Sequence, residues 1–149
     1  PDSIKDLKLA AILHDVGKIG ISEAILIKPA QLSLEEQEII THHPGIGVKI
    51  VDSILHSKRF IHGIGDHHEF YNGKGYPKGL KKEEISLQGR IIAVADALDA
   101  LSSDRAYRKG MSLPDSCKEI KSNIGIQFDP NVVEAFLRAY KKKPEIFNG

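Results

Sequence analysis

Two apolar stripes at helical spacing each end in a histidine, and this pattern limits what the chain can fold into more than any other feature. Ile4, Leu7, Ala11 and His14 fall at i, i+3, i+7 and i+10, and Ile61, Ile64 and His68 at i, i+3 and i+7. Such a stripe is the buried face of an amphipathic helix, so both imidazoles are expected to point inward at a helix end. Other segments repeat the helical period. Ser33 and Glu36 have capping-box spacing and open a helix that runs toward His42 and His43 and stops at Pro44. Ile46, Ile50, Val51, Ile54 and Leu55 share one face of the next. From Gln88 to Ser102 the pattern puts Ile92, Asp96, Asp99 and Ser103 on one line and Val94, Leu98 and Leu101 on another. Pro114 opens a helix with Cys117, Ile120 and Ile124, and Asp129-Pro130 supplies a cap and a first-turn proline before Val133, Phe136, Leu137 and Tyr140. Between Tyr71 and Leu80, Gly73, Gly75, Gly79 and Pro77 leave room only for a shaped loop. Convincing strand alternation is absent, so the expected fold is a single all-α bundle.

At 149 residues the chain suits one domain over residues 1–149, large enough to bury roughly 70% of its unfolded surface. Hydrophobic residues make up 41%, and no apolar run approaches the ~20 residues a bilayer span needs, so no membrane contact is expected. Basic and acidic side chains number 21 and 20, a formal charge of +1, so nothing global attracts DNA and any anion must be held locally. Cys117 is the only cysteine, which excludes an internal disulfide and fits a reducing, cytoplasmic setting. The opening Pro1-Asp2-Ser3-Ile4 shows neither an initiator methionine nor a signal pattern, and the chain reads as a fragment.

The chemistry-bearing residues fall into clusters. His14-Asp15 pairs an imidazole with a hard carboxylate, His67-His68-Glu69 precedes the glycine loop, and His43 and Asp96 lie at or on helices. A set of imidazoles and carboxylates without thiolates suits iron or manganese better than a closed zinc site. A lone inward histidine is more often a core residue bonded to a carbonyl; here the combination points to metal. Asp96 sits among small apolar residues, where an uncompensated carboxylate would cost several kcal/mol. Asp99 is expected to orient a histidine by a hydrogen bond rather than to bind metal itself. His42, His56 and His62 read as surface residues. The whole reads as a metal-dependent phosphohydrolase.

At these motifs the sequence resembles the HD-GYP family of cyclic di-GMP phosphodiesterases, within the HD phosphohydrolase superfamily. The resemblance rests on Leu13-His14-Asp15-Val16-Gly17-Lys18-Ile19, His43-Pro44-Gly45-Ile46-Gly47, His67-His68-Glu69 with Gly73 to Leu80, and Asp96-Ala97-Leu98-Asp99 with Arg105-Ala106-Tyr107-Arg108. It implies a single HD-type helical bundle that binds two or three divalent ions, iron or manganese. His14, Asp15, His43, His67, His68 and Asp96 would be the metal ligands. Lys18, Asp15 and Asp99 would serve catalysis, and Gly75, Tyr76, Pro77, Arg105 and Arg108 would meet the substrate, with Lys74 or Lys78 near its phosphates. Family members also have a preceding helix that brings a glutamate and a histidine to the metals, and this chain opens after it.

The implied reaction is hydrolysis of cyclic di-GMP to pGpG and onward to GMP, with a water acidified between metals about 3.5–4 Å apart. Implied partners are a GGDEF-type cyclase, a sensor or receiver domain, and a second copy of the chain in a homodimer. Two other readings stay open: a superfamily phosphohydrolase for another nucleotide, and a module that binds cyclic di-GMP or docks a protein without cleaving anything.

Overall fold

Helix α1 (Asp2–Leu13) turns Leu7, Ala10 and Leu13 toward the protein interior. This differs from the expected stripe: Ile4 is 65% exposed and Ala11 is exposed too. The reason is a close approach. Ala10 faces Gly63, where an added Cβ would stand 2.9 Å from the alanine methyl, so the tightest small-residue contact decides which face of α1 is buried. The computed structural model describes residues 2–55, 58–104 and 109–147, with eight α-helices and no strand among them, only an isolated bridge between Ile124 and Phe128.

After α1 comes a 3-10 turn, Val16–Gly20, then α2 (Glu23–Leu26) and α3 (Leu34–Thr41). The capping box forms as expected: Glu36 N–H donates to Ser33 Oγ, and Ser33 N–H donates to Glu36 Oε2. Pro44 lacks an amide hydrogen, so it sits in the first turn of α4 (His43–Leu55), where none is needed, and α3 ends at Thr41. Helix α5 (Ile61–Asp66) runs into the glycine-rich loop. Helix α6 (Leu87–Ser102) follows, then α7 (Leu113–Ser122) and α8 (Pro130–Lys142). Asp129 caps α8 by accepting from Asn131 N–H at 2.8 Å, with Pro130 in the first turn, as the sequence indicates.

Two hydrophobic clusters flank α6. Ile92 joins Ala10, Val51, Phe60 and Ile64 from α1, α4 and α5 and their connections. Ala93 and Val94 join Ile120, Phe128, Val132 and Val133 on the other side. Asp129 also takes the guanidinium of Arg90 in a buried ion pair that ties α8 to α6. No helix among the described residues is long and apolar enough to cross a membrane.

The first cluster sets up the site. One turn beyond each of three of its buried residues comes a ligand candidate: His14 after Ala10, His68 after Ile64, Asp96 after Ile92. The same faces that bury hydrocarbon thus carry imidazole and carboxylate to one end of the cluster. Helix α4 runs the other way, with Val51 in the cluster and His43 at the helix start.

Glycine fixes how closely α4 lies to the 3-10 turn. A Cβ on Gly17 would fall 1.9 Å from the His43 carbonyl oxygen and 2.5 Å from the Gly47 nitrogen, both backbone atoms that cannot swing away. Gly17→Ala should therefore lower stability by at least ~1–3 kcal/mol, the usual range for overpacking, read as a drop in thermal melting temperature. Gly45 has nothing within 4 Å of its own added Cβ. Gly45→Ala in α4 should be neutral or raise stability by up to about 1 kcal/mol; a melting loss equal to that of Gly17→Ala would show that packing is not the cause.

Candidate metal centre

The ligand-type atoms of Asp15, His43, His67 and His68 all lie within 4.8 Å of one another. Three imidazoles are aimed by the same device. His14 Nδ1 is 2.7 Å from the Ala11 carbonyl, His43 Nδ1 2.7 Å from Ile40, and His67 Nδ1 2.7 Å from Ile64, each carbonyl three residues back. A carbonyl only accepts, so Nδ1 carries the proton and Nε2 keeps a bare lone pair. Those lone pairs face one another. His43 Nε2 and His67 Nε2 are 3.4 Å apart, and Asp15 Oδ1 lies 3.3 Å from the first and 4.0 Å from the second. Oδ1 is buried and has no hydrogen-bond donor. Converging lone pairs beside an orphaned carboxylate oxygen repel unless a cation sits among them, so the donor set fits a divalent metal.

Asp15 is the hinge of the cluster. Its other oxygen, Oδ2, lies 3.5 Å from His14 Nε2 and 2.6 Å from Lys18 Nζ. His14 Nε2 in turn lies 3.7 Å from Asp96 Oδ1, so Asp96 closes the far side. All six residues the sequence marked as ligands are thus in one place.

The electrostatics keeps His67 and His68 in their ligand form. Burial, reinforced by the neighbouring His14 and His43 rings, pushes the His67 imidazole down to about 4. Burial also lowers His68, to about 3, with His67 and His43 adding to the effect. Both are neutral at pH 7 and free to bind metal. The Asp96 carboxylate raises His14, and His14 lowers Asp96 in return. Burial opposes ionisation of Asp15, but the neighbouring His43 and the Lys18 ammonium that donates to Oδ2 outweigh it and hold the group well below the usual carboxylate range.

Two acids that the sequence reading left unassigned brace the histidine pair. Glu69, 2% exposed, accepts Lys78 N–H at 2.7 Å on one oxygen and Leu80 N–H at 3.0 Å on the other. Asp66, also 2% exposed, accepts Lys78 Nζ at 3.0 Å and Ser86 N–H at 3.2 Å. The ammonium of Lys78 is thus occupied internally rather than offered to phosphate. The glycine loop is pinned onto the segment that carries His67 and His68. Glu69 stands beside that pair in the sequence, but nothing there showed that its partners would be backbone amides of the loop.

Gly75 has a tighter reason to be glycine than a ligand's approach: a Cβ there would lie 2.2 Å from the Phe70 nitrogen and 2.5 Å from the His68 carbonyl oxygen. Tyr76 follows it, with its ring 4.9 Å from that of His68, and burial pushes its phenol up to about 12, so it is a neutral donor. Pro77 continues the loop. Asp99 is exposed one turn beyond Asp96 and accepts a hydrogen bond from Ser103 Oγ at 3.3 Å. The expected bond from Asp99 to a histidine is replaced by this local one. Arg105, Arg108 and His56 lie outside the described residues, and His42 and His62 are exposed as expected. A cavity of about 700 Å³ lies elsewhere, between α6 and α8. Its walls are mostly apolar and no histidine is among the residues that line it, so the site is assigned on chemistry, not volume.

The chain matches the HD domain family over residues 2–132. It is 42% identical over 149 residues to a cyclic di-GMP phosphodiesterase of Thermotoga maritima, and 37% identical over 150 residues to the cyclic di-GMP phosphodiesterase response regulator RpfG of Xanthomonas campestris. These matches take in 97% of this chain in both cases, and 40% and 39% of the relatives, so the chain spans about two fifths of their length. It is also 37% identical to a 3'3'-cGAMP-specific phosphodiesterase of Vibrio cholerae, over 93% of this chain and 30% of that one. Among solved structures, a cyclic GMP-AMP specific phosphodiesterase of V. cholerae superposes with a TM-score of 0.73 at 22% identity, covering 97% of this chain and 40% of the other, a likeness of fold. With the HD motif at His14-Asp15 and the Gly75-Tyr76-Pro77 loop gathered at one centre, the chain belongs to the HD domain family, in its HD-GYP group.

Proposed function

We propose that this domain is a metal-dependent phosphodiesterase that hydrolyses cyclic di-GMP to the linear dinucleotide pGpG and onward to GMP. The observation that carries the reading is the convergence of three carbonyl-anchored imidazoles on the Asp15 carboxylate, His43 and His67 at its orphaned Oδ1 and His14 at Oδ2, supported by likeness to relatives named for that activity. His14, Asp15, His43, His67, His68 and Asp96 would hold two divalent ions, iron or manganese. Bound there, the ions would supply Lewis acidity at phosphate and lower the pKa of a coordinated water.

The chain's own residues do the rest. Lys18, with 41% of its side chain exposed, is anchored by Asp15 yet open toward solvent, and its ammonium meets a nonbridging phosphate oxygen as charge builds there. Tyr76 presents a protonated phenol and an aromatic face beside His68. The Nδ1 bonds stop the imidazoles from rotating when substrate arrives. Arg105 and Arg108 are assigned to the nucleotide on the family resemblance alone. A second reading, 3'3'-cGAMP as substrate, is supported by equal 37% identity to a relative specific for it and to the Xanthomonas relative.

Replacing both His67 and His68 with alanine should remove bound metal, measured by elemental analysis of purified protein, and abolish release of pGpG. Full turnover by a folded double variant would end the assignment. Lys18→Ala should retain metal and lose about 10²-fold in kcat, the scale of one transition-state charge contact.

The metal-free protein carries a pH signature. His67 and His68 titrate near 6.5 when unfolded but at about 4 and about 3 in the fold, so between pH 6.5 and 4 the unfolded chain binds more protons. Stability is therefore full above 6.5 and falls as pH drops through that window. His14, raised by Asp96, acts in the opposite sense and is outnumbered. Thermal melts of chelated protein at pH 7.5 and 4.5 should show the loss, and His67→Gln should reduce it.

A further inference from the structure

The proposal that follows rests on reading the site as a cyclic dinucleotide phosphodiesterase, and it names what selects the base. A cavity of about 300 Å³ opens directly off the centre, bounded on one side by His67, His68 and Asp96. The opposite wall comes from α7 and the turn after it, through Glu119, Asn123 and Gln127. The volume is at the low end for ligand pockets, room for one base rather than a dinucleotide. Ala93 and Ala97, one turn apart on α6, give it a smooth apolar side against which a planar ring can lie. Because the cavity shares His67, His68 and Asp96 with the centre, it lies within reach of a nucleoside whose phosphate is held there.

We propose that Glu119 reads the pairing edge of a guanine in this cavity and sets the preference for guanine over adenine. A carboxylate only accepts, and guanine presents two donors side by side, N1–H and N2–H, which match its two oxygens. Adenine presents a donor at N6 and a bare lone pair at N1, so one carboxylate oxygen would face another lone pair. Glu119 is exposed at the rim, and Asn123 Nδ2 reaches its Oε1 at a long 3.3 Å while making a shorter 3.0 Å bond to the Glu119 carbonyl. Asn123 thus frames the wall, and Glu119 lines the cavity with acceptor capacity to spare.

The decisive variant is Glu119→Gln. A glutamine side chain offers one acceptor and one donor, which adenine can pair through N1 and N6, whereas guanine presenting N1–H and N2–H in the same register leaves one donor facing a donor. The rim position means the substitution removes no buried contact, which a melt identical to wild type verifies. Two measurements are made on wild type, Glu119→Gln and Glu119→Ala loaded with manganese: kcat/KM for cyclic di-GMP, 3'3'-cGAMP and cyclic di-AMP, and calorimetric binding of GMP against AMP. Wild type should favour guanine. Glu119→Gln should cut the guanine-to-adenine ratio about tenfold or more, through a gain for adenine as well as a loss for guanine, whereas Glu119→Ala should lose guanine without gaining adenine. An unchanged ratio in Glu119→Gln, in turnover or in mononucleotide binding, overturns the assignment of Glu119. Absence of turnover by wild type on all three dinucleotides instead overturns the phosphodiesterase reading, and GMP against AMP binding still decides the base subsite.

Discussion

The hydrogen bond from Nδ1–H to the carbonyl three residues back, made by His14, His43 and His67, is the contact on which the site depends. Each bond fixes a ring's orientation and its tautomer in one step, because the only group within reach is an acceptor. Three rings fixed independently by their own helices can aim Nε2 at a common point only if the helices themselves are fixed. The packing of α1, α4, α5 and α6 around Ala10, Val51, Ile64 and Ile92 is therefore part of the site's chemistry as much as of the fold's stability. Lone pairs held this close are unfavourable in the bare protein, a tension that binding relieves.

Much of this was legible in the residues themselves. Helices show in the spacing of apolar side chains, and caps such as Ser33-Glu36 and Asp129-Pro130 mark their starts by chemistry that works locally. The six ligand candidates could be named because their combination with the glycine-rich loop, and the family resemblance it carries, outweighs the commoner use of a single inward histidine as a core residue. What stayed hidden depends on contacts between distant segments. Nothing near Ala10 or Ala11 says which of the two meets Gly63, so the buried face of α1 was misjudged. Asp99 has the right spacing from Asp96, yet the nearby Ser103 hydroxyl bonds to it first.

The loop shows a subtler failure of sequence logic. Glycines at 73, 75 and 79 read alike as breakers that shape a loop, yet they serve different needs. Gly73 and Gly79 take positive φ, at 83° and 68°, which only glycine adopts without strain. Gly75 has no such φ and is required because the chain folds back onto residues 68 to 70. Asp66 and Glu69 then fasten the far half of the loop through Lys78 and Leu80. Four consecutive residues, Asp66 to Glu69, thus divide two jobs: the outer pair holds protein to protein, and the inner pair joins the candidate metal centre.

Helix α6 presents three successive buried residues, Ile92, Ala93 and Val94, to two separate cores. A rod gripped from both sides cannot turn about its long axis without emptying one core into the other. Asp96 rides on that rod, so the two cores together set how far its carboxylate stands from the His14 imidazole.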